Sequence, residues 1–208
     1  MLMSLLALYA CKESKEAVTL VVHEIYAVEG DDESKKPTVL SYKDVKQYDV
    51  DGVMVQQNFY KVDNTLKAYE FIKKDGNKGV TNYYGADSSL LAIYELEYEG
   101  IHILTRTAFD GQTKEKLRSE SYERDSNGNL KVKRVFNDQG QLMDVYKMNY
   151  DKQGNEREFS KYNSEDRLLV NEKFIIVKKN AEGKWLERWG YKDDLPNSFH
   201  RRTFGDLE

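Results

Sequence analysis

Three histidines and a set of acidic turns are the residues of this sequence that could bind a metal ion. His23, His102 and His200 are far apart in the chain and none has a partner at ligand spacing, so we expect strand or surface histidines rather than zinc ligands. Segment 125–129 (Asp-Ser-Asn-Gly-Asn) begins like a calcium loop, but Phe136 occupies the position where an EF-hand needs a bidentate glutamate. We therefore predict no metal site and interpret this segment as a hairpin turn.

Nucleophilic and phosphate chemistry have no support in the sequence either. There is no G-x-S-x-G motif, and Cys11, the one cysteine, lies at the extreme N-terminus away from every histidine. The 36 acidic residues make some close carboxylate pairs inevitable by chance, so such pairs are no evidence of a catalytic site. Segment 76–79 (Gly-Asn-Lys-Gly) lacks the spacing of a phosphate-binding loop. We predict no catalytic residues, no cofactor and a protein that is not an enzyme.

Aromatic residues are enriched, with 15 Tyr and 8 Phe among 208 residues. Tyr and Trp serve recognition because they offer a large rigid surface with a hydrogen-bonding tip. They serve the interior of β-sheets equally well as cross-strand partners, so packing and recognition both stay open. The candidate recognition residues are Tyr83, Tyr84, Tyr94, Tyr98, Trp185, Trp189 and Tyr191.

Composition excludes several classes of protein. With 39% hydrophobic and 12% aromatic residues the chain is too apolar to be disordered, and it contains no run of about 18 apolar residues. The formal net charge of −4 gives no positive electrostatic potential that would attract nucleic acid. The basic runs at 131–134 and 200–202 have apolar or acidic neighbours, which is typical of solvated strand faces. We predict no nucleic-acid partner.

The N-terminus has the pattern of an export signal. Residues 1–10 are mostly apolar, Cys11 follows, and residues 12–16 are charged or polar, although no Lys or Arg precedes the apolar run. Leu8-Tyr9-Ala10-Cys11 resembles the lipobox of bacterial lipoproteins, and the charged residues after the cysteine resemble those of Bacteroidetes-type lipoproteins. The resemblance implies a signal peptide at 1–10, lipid attachment at Cys11, a charged tether at 11–16 and one domain at 17–208. The alternative is that residues 2–10 form a buried element and Cys11 is a core thiol.

Turn signals recur along the rest of the chain at intervals of about 26 residues. Glycines close one set of turns, and a second set rich in Asp and Asn lies between them, so each repeat is predicted to be strand, turn, strand, turn. The glycines of the first set are Gly52, Gly76, Gly100, Gly128, Gly154 and Gly183. The motifs around 122–130, 137–142 and 150–155 resemble the YD repeats of RHS-type proteins, which implies a hairpin architecture and says little about activity.

The predicted fold is all-β. About six hairpin repeats form an antiparallel meander of twelve to fourteen strands, with a first strand at 17–28 and an acidic loop at 30–34. A sheet of that size is expected to curl into a barrel, a half-barrel or a sandwich. Tyr, Leu and Ile are expected on the inner face and Lys, Glu, Asn and Gln on the outer face. Segments 90–94 and 174–177, apolar on both faces, are expected to be covered on both sides, and the charged segments 114–124 and 155–161 to lie at sheet edges.

These observations predict a non-enzymatic envelope lipoprotein whose β-repeat domain binds a protein or glycan partner. Its expected location is the outer membrane, reached through the lipid anchor, with the periplasmic and surface faces both open. Two alternatives remain: a carrier of a hydrophobic small molecule or lipid in a curled sheet, and an enzyme that acts on envelope polymers.

Overall fold

A computed structural model of the chain describes residues 17–28 and 36–206. The predicted signal peptide 1–10, the lipid-modified Cys11, the tether up to residue 16 and the acidic loop 30–34 lie outside the described residues. Those assignments therefore stay predictions.

The described residues form fourteen β-strands in one closed antiparallel barrel, in which each strand pairs with its sequence neighbours. The strands are β1 Ala17–Ala27, β2 Leu40–Asp49, β3 Met54–Tyr60, β4 Leu66–Asp75, β5 Lys78–Gly85, β6 Leu90–Glu99, β7 His102–Asp110, β8 Lys116–Arg124, β9 Leu130–Asn137, β10 Leu142–Tyr150, β11 Glu156–Asn163, β12 Leu168–Lys179, β13 Trp185–Lys192 and β14 Leu195–Asp206. The all-β meander is confirmed, and the barrel is the one of the three predicted forms that occurs.

Pairing between the first and last strands closes the barrel. β1 and β14 run antiparallel from Thr19↔Asp206 to Ala27↔Ser198, while the other edge of β1 pairs with β2. The prediction that 114–124 and 155–161 lie at sheet edges is wrong, because β8 and β11 each have a paired strand on both sides. Alternation along β8 instead places Glu123 in water and Glu120 in the buried interior.

The two ends of the barrel differ in what they carry. One end of the barrel holds the start of β1, the end of β14 and the connections that follow the even-numbered strands from β2 to β12. We call this end the terminal rim. The other end, with the connections β1–β2, β3–β4 and so on to β13–β14, is the distal rim. The predicted turns lie at these rims, and the turn glycines, such as Gly128 and Gly154, have positive φ.

Contacts between strands that are not neighbours identify the inner wall. Arg106 on β7 reaches Glu70 on β4 at 3.3 Å, which is possible only inside the barrel. Alternation then places Ala92, Tyr94, Leu96 and Tyr98 of β6 on the inner wall, where they form a buried cluster with Ile72 and Ala108.

Two parts of the predicted burial pattern are wrong. Segments 90–94 and 174–177 are not covered on both sides, because Leu91, Ile175 and Val177 are exposed on the outer wall. The inner wall is not lined mainly by Tyr, Leu and Ile, because it also holds buried Glu70 and Arg188. A barrel of fourteen strands is wide, so long charged side chains can pair within it.

Adjacent hairpins are locked together at the terminal rim by Asn155, which is almost fully buried. Its backbone N–H and side-chain amide donate to Asp151 in its own turn, and the same amide donates to the Gly183 carbonyl of the next turn at 3.0 Å. Its Oδ1 accepts the backbone N–H of Trp185 at 2.9 Å. One side chain therefore satisfies groups in two successive hairpins.

We predict that Asn155→Ala lowers the free energy of unfolding by about 3 kcal/mol, because it leaves buried backbone groups at 183 and 185 without partners. Asn129→Ala is the matched control, since Asn129 occupies the same place in the preceding repeat and bonds to Asp125 of its own turn. It should cost about 1 kcal/mol. Urea denaturation measures both, and equal losses would contradict the role assigned to Asn155.

Candidate functional site

The inner wall between β4 and β9 carries ion pairs and stacked cations. The Arg106 guanidinium lies 3.6 Å from the centre of the Tyr94 ring while it pairs with Glu70. Burial raises the pKa of the Glu70 carboxyl, although the nearby Arg106 and Lys46 oppose the rise. Farther round the wall, buried Glu120 accepts from Tyr122 and pairs with Lys133 at 3.3 Å. These contacts neutralise charges inside the barrel.

A second polar group crosses the strands at which the barrel closes, and we call it the seam network. Ser198 Oγ on β14 donates to Glu172 Oε1 on β12 at 2.6 Å and lies 2.8 Å from His200 Nε2. His200 Nδ1 lies 3.3 Å from His23 Nε2 on β1, and His23 Nδ1 lies 3.8 Å from Asp44 Oδ2 on β2. The network therefore joins β12, β14, β1 and β2 on the inner wall.

The donors and acceptors of the seam network fix the histidine tautomers. The one hydroxyl proton of Ser198 goes to Glu172, so His200 Nε2–H must donate to Ser198 Oγ. Burial lowers the pKa of His200 to about 2, with the charges of Arg188 and His23 adding to the effect, so the ring is neutral. Its bare Nδ1 then accepts the Nε2–H of His23. Every proton in the chain points toward Glu172.

The seam network needs a glycine between its two ends. Glu172 and Ser198 meet over β13 at Gly190, which pairs directly with Ser198. A Cβ at residue 190 would lie 2.2 Å from Glu172 Oε1 and 2.3 Å from Ser198 Oγ. The absence of a side chain at Gly190 therefore creates the space for this hydrogen bond.

All three histidines lie on strands, and two that are far apart in the sequence meet in the structure. His23 and His200 stack at 5.5 Å between ring centres, because closure of the barrel pairs the first strand with the last. Spacing along the sequence gave no signal of this contact. Among residues 17–28 and 36–206, no group of three or more His, Cys, Asp or Glu side chains is placed to hold a metal ion.

The chemistry of the seam network favours a structural role. A serine beside a histidine could act as a nucleophile, but here the histidine donates to the hydroxyl and is therefore not placed to accept its proton, which is directed to Glu172. Burial raises the pKa of Asp44, but the nearby His23 at 3.8 Å and the charge of Lys46 outweigh burial and hold this pKa below its usual value, so Asp44 is ionised. The absence of enzymatic activity stays a prediction.

Two arginines beside the seam network share one aromatic ring. The guanidinium groups of Arg188 and Arg202 lie 4.4 and 4.1 Å from the centre of the Trp185 ring, and Arg188 pairs with Glu156 at 3.1 Å. Burial and, to a smaller extent, the charge of Arg188 together lower the pKa of Arg202 to about 10. Trp185 therefore packs between cations inside the barrel rather than lining an outer surface.

The seven candidate recognition aromatics do not form one surface. Those on the inner wall are Tyr83, Tyr94, Tyr98 and Trp185, and those on the outer wall are Tyr84, Trp189 and Tyr191. Of the outer three, Trp189 is buried against Phe199 at 5.0 Å between ring centres. Most of this set therefore serves packing.

Sequence reasoning missed a ring of aromatics on the outer wall at the distal rim. Each odd-numbered strand has an aromatic residue where its pairing with the next strand shifts by one residue: Tyr26, Tyr60, Tyr84, Phe109, Phe136, Tyr162 and Tyr191. The sequence did contain a signal for this ring, because an aromatic residue lies close to each of the turns rich in Asp and Asn. Only Tyr84 and Tyr191 were among the candidates.

Comparison with known proteins identifies a similar fold. No protein-family model matches the chain, and no curated protein matches it. A porin-like protein from Bacteroides uniformis, known from a crystal structure, is similar with a TM-score of 0.50 and 7% sequence identity, over 92% of this chain and 98% of that chain. At that identity the similarity shows the fold alone.

A second similarity is weaker. The Photorhabdus luminescens Tc holotoxin pore matches with a TM-score of 0.32 and 14% identity, over 87% of this chain and 11% of that chain, and supports no argument. The resemblance to YD repeats therefore stays a prediction. In the part of the chain that is described, no helix has the length and apolar character needed to cross a bilayer.

Acid should destabilise the protein through His200. Its pKa is about 2 when folded and near 6.5 when unfolded, so its contribution is complete above pH 6.5 and is lost as the pH falls toward 2. We expect about 1.4 kcal/mol of lost stability for each pH unit between 6 and 3 from this group. Urea denaturation at pH 7.0 and 4.5 should show a smaller loss for His200→Gln than for the wild type. His102→Gln is the control and should keep the wild-type loss; equal losses in all three proteins would refute the assignment.

Gly190→Ala should destabilise the barrel, because the new methyl group must displace Glu172 or Ser198. We expect a loss of about 2 kcal/mol or more. Gly205→Ala on β14 is the matched control, since a Cβ there meets nothing within 4 Å, and it should stay within about 0.5 kcal/mol of wild type. Thermal denaturation of the two variants decides the point; a Gly190→Ala protein as stable as the control would show that the space above Gly190 is not needed.

Proposed function

We propose that the chain is a bacterial cell-envelope β-barrel, lipid-anchored in the outer membrane through Cys11, that stands beside the bilayer and binds a protein or glycan partner on its outer surface. The observation that carries this proposal is the charge on the middle of the outer wall. Glu95, Lys147 and Lys173 lie near the centres of β6, β10 and β12 and are exposed. A Lys side chain facing lipid at mid-bilayer costs about 2–4 kcal/mol in membrane barrels, and a Glu side chain costs less. These side chains favour water around the wall.

The position of the chain start supports attachment through one rim. Ala17, where β1 begins, lies at the terminal rim, six residues after Cys11. A tether of that length would hold the terminal rim close to the bilayer and direct the distal rim away from it. The porin-like neighbour from Bacteroides uniformis is consistent with an envelope barrel, although it supports the fold and not the partner.

The inner wall disfavours the alternative of a carrier for hydrophobic molecules. Glu70, Glu120 and Arg188 are buried there, and each is held by an opposite charge. An apolar ligand in contact with these groups would replace none of their hydrogen bonds. The outer surface is therefore the better candidate for binding.

Substitution of the cysteine tests the anchor and the position of the barrel together. In cells grown with radiolabelled palmitate, the wild-type chain should carry label and pellet with membranes. Cys11→Ser should lose the label and enter the soluble fraction, because nothing else holds the barrel. Ser14→Ala, three residues farther on, is the control and should behave as wild type.

Two results would contradict the proposal. A Cys11→Ser protein that stays in the membrane after carbonate extraction would mean that the barrel itself is embedded. A wild-type chain that carries no palmitate label would contradict the proposed lipid anchor at Cys11.

A further inference from the structure

A β-bulge occurs at the same place in every hairpin of the distal rim. In each, the even-numbered strand has one extra residue just after its start, opposite the aromatic residue near the end of the preceding strand. The extra residues are Ser41, Lys67, Leu91, Leu117, Met143, Leu169 and Asn197. The bulge thus repeats around the whole circumference.

Four consecutive bulge residues form a row of exposed aliphatic side chains, which we call the apolar arc. Leu91, Leu117, Met143 and Leu169 are 46, 48, 49 and 44% exposed. They lie on β6, β8, β10 and β12, so neighbours in the row are two strands, or about 10 Å, apart. Successive residues of the row are 26 positions apart in the sequence, and they lie at one level of the outer wall.

Folding alone does not explain the aliphatic character of the apolar arc. The same bulge position carries Ser41, Lys67 and Asn197 in the other distal hairpins. Two bulges at the terminal rim carry Lys131 and Arg157 in equivalent geometry, and two others carry Val55 and Leu104. Polar residues therefore suit this backbone conformation, and four exposed aliphatic ones in succession point to an interaction surface.

The residues around the apolar arc provide a rigid base. Tyr84, Phe109, Phe136 and Tyr162 lie opposite the four bulges on the same outer wall and are half-buried. Aromatic side chains hold their positions with little loss of conformational freedom. The aliphatic tips thus stand on an ordered surface before any partner arrives.

The turns that border the apolar arc are acidic. In the four turns 85–89, 110–115, 137–141 and 163–167 the acidic residues are Asp87, Asp110, Glu115, Asp138, Glu165 and Asp166, against Lys114 and Arg167. Hydrogen bonds with Ser89 hold the pKa of Asp87 below its usual value, and backbone N–H donors of Thr113 and Gln112 do the same for Asp110. Both carboxylates are therefore charged at neutral pH.

We infer that the apolar arc is the docking surface for a protein partner that presents a row of aliphatic side chains bordered by Lys or Arg. The inference rests on the proposed function, because it names the surface and the class of partner. A symmetric contact with a second copy would bring acidic turns against acidic turns. Phospholipid headgroups of the anionic type would be repelled by the same carboxylates. A basic protein surface complements both features.

Photocrosslinking in the native cell tests the surface. p-Benzoyl-phenylalanine is introduced at residue 117 of the full chain and, as a matched control, at Ile101, an exposed aliphatic residue of the terminal rim. We expect one discrete protein adduct from residue 117 and none from residue 101. The adduct is identified by mass spectrometry, and the protein is then purified for binding measurements.

Binding of the purified partner supplies the quantitative test. Leu117→Ser with Met143→Ser should weaken binding about ten-fold or more, and Asp138→Asn with Glu165→Gln should reduce the salt dependence. Ser41 already occupies the equivalent bulge, so the serine variants should fold with wild-type thermal stability. Ile101→Ser should leave binding unchanged.

The other outcomes overturn the inference in distinguishable ways. Adducts from residue 101 but not from residue 117 would leave partner binding intact and remove the apolar arc as its surface. No adduct from either position would remove both the inference and the proposed binding function. An adduct of the chain with itself, or flotation of the Cys11→Ser protein with phosphatidylethanolamine–phosphatidylglycerol vesicles, would replace the protein partner by a second copy or by lipid.

Discussion

Pairing between β1 and β14 is the contact on which the rest of the barrel depends. Without it the sheet would expose two long rows of unpaired backbone groups, and the inner wall would open to water. The pairing also brings His23 to His200 and completes the seam network across β12, β14, β1 and β2. Side-chain hydrogen bonds therefore reinforce the junction that has the greatest separation along the chain.

The distribution of polar residues follows from the width of a fourteen-stranded barrel. A narrow barrel is filled by apolar side chains, whereas this one leaves room for pairs such as Arg106 with Glu70 on strands that are not neighbours. Such pairs must be satisfied internally, because a buried charge without a partner is costly. Both walls are consequently mixed in polarity, with buried apolar clusters on parts of the inner wall and exposed apolar residues on the outer wall.

Local patterns predicted the strands and turns because hairpins are encoded by residues close in sequence. The turn glycines, which have positive φ in the structure, were readable directly. The contact of His23 with His200 was not, since nothing local reports which strand closes a sheet. The predicted two-sided cover of Ile175 failed for a related reason: apolar composition does not reveal whether a second layer exists. The bulge residues escaped notice because their role depends on register.

Because the bulge repeats, each hairpin of about 26 residues is an equivalent unit that contributes two strands to the circumference of the barrel. The four units from β5 to β12 have one register shift within each hairpin and one in each pairing that joins them, so the edges at which these units meet match one another. Gain of one unit would increase the circumference of the barrel by two strands, about 10 Å, and loss of one unit would decrease it by the same amount. The pairing of β1 with β14 would not change. Duplication of hairpins thus offers this architecture a route to barrels of different calibre.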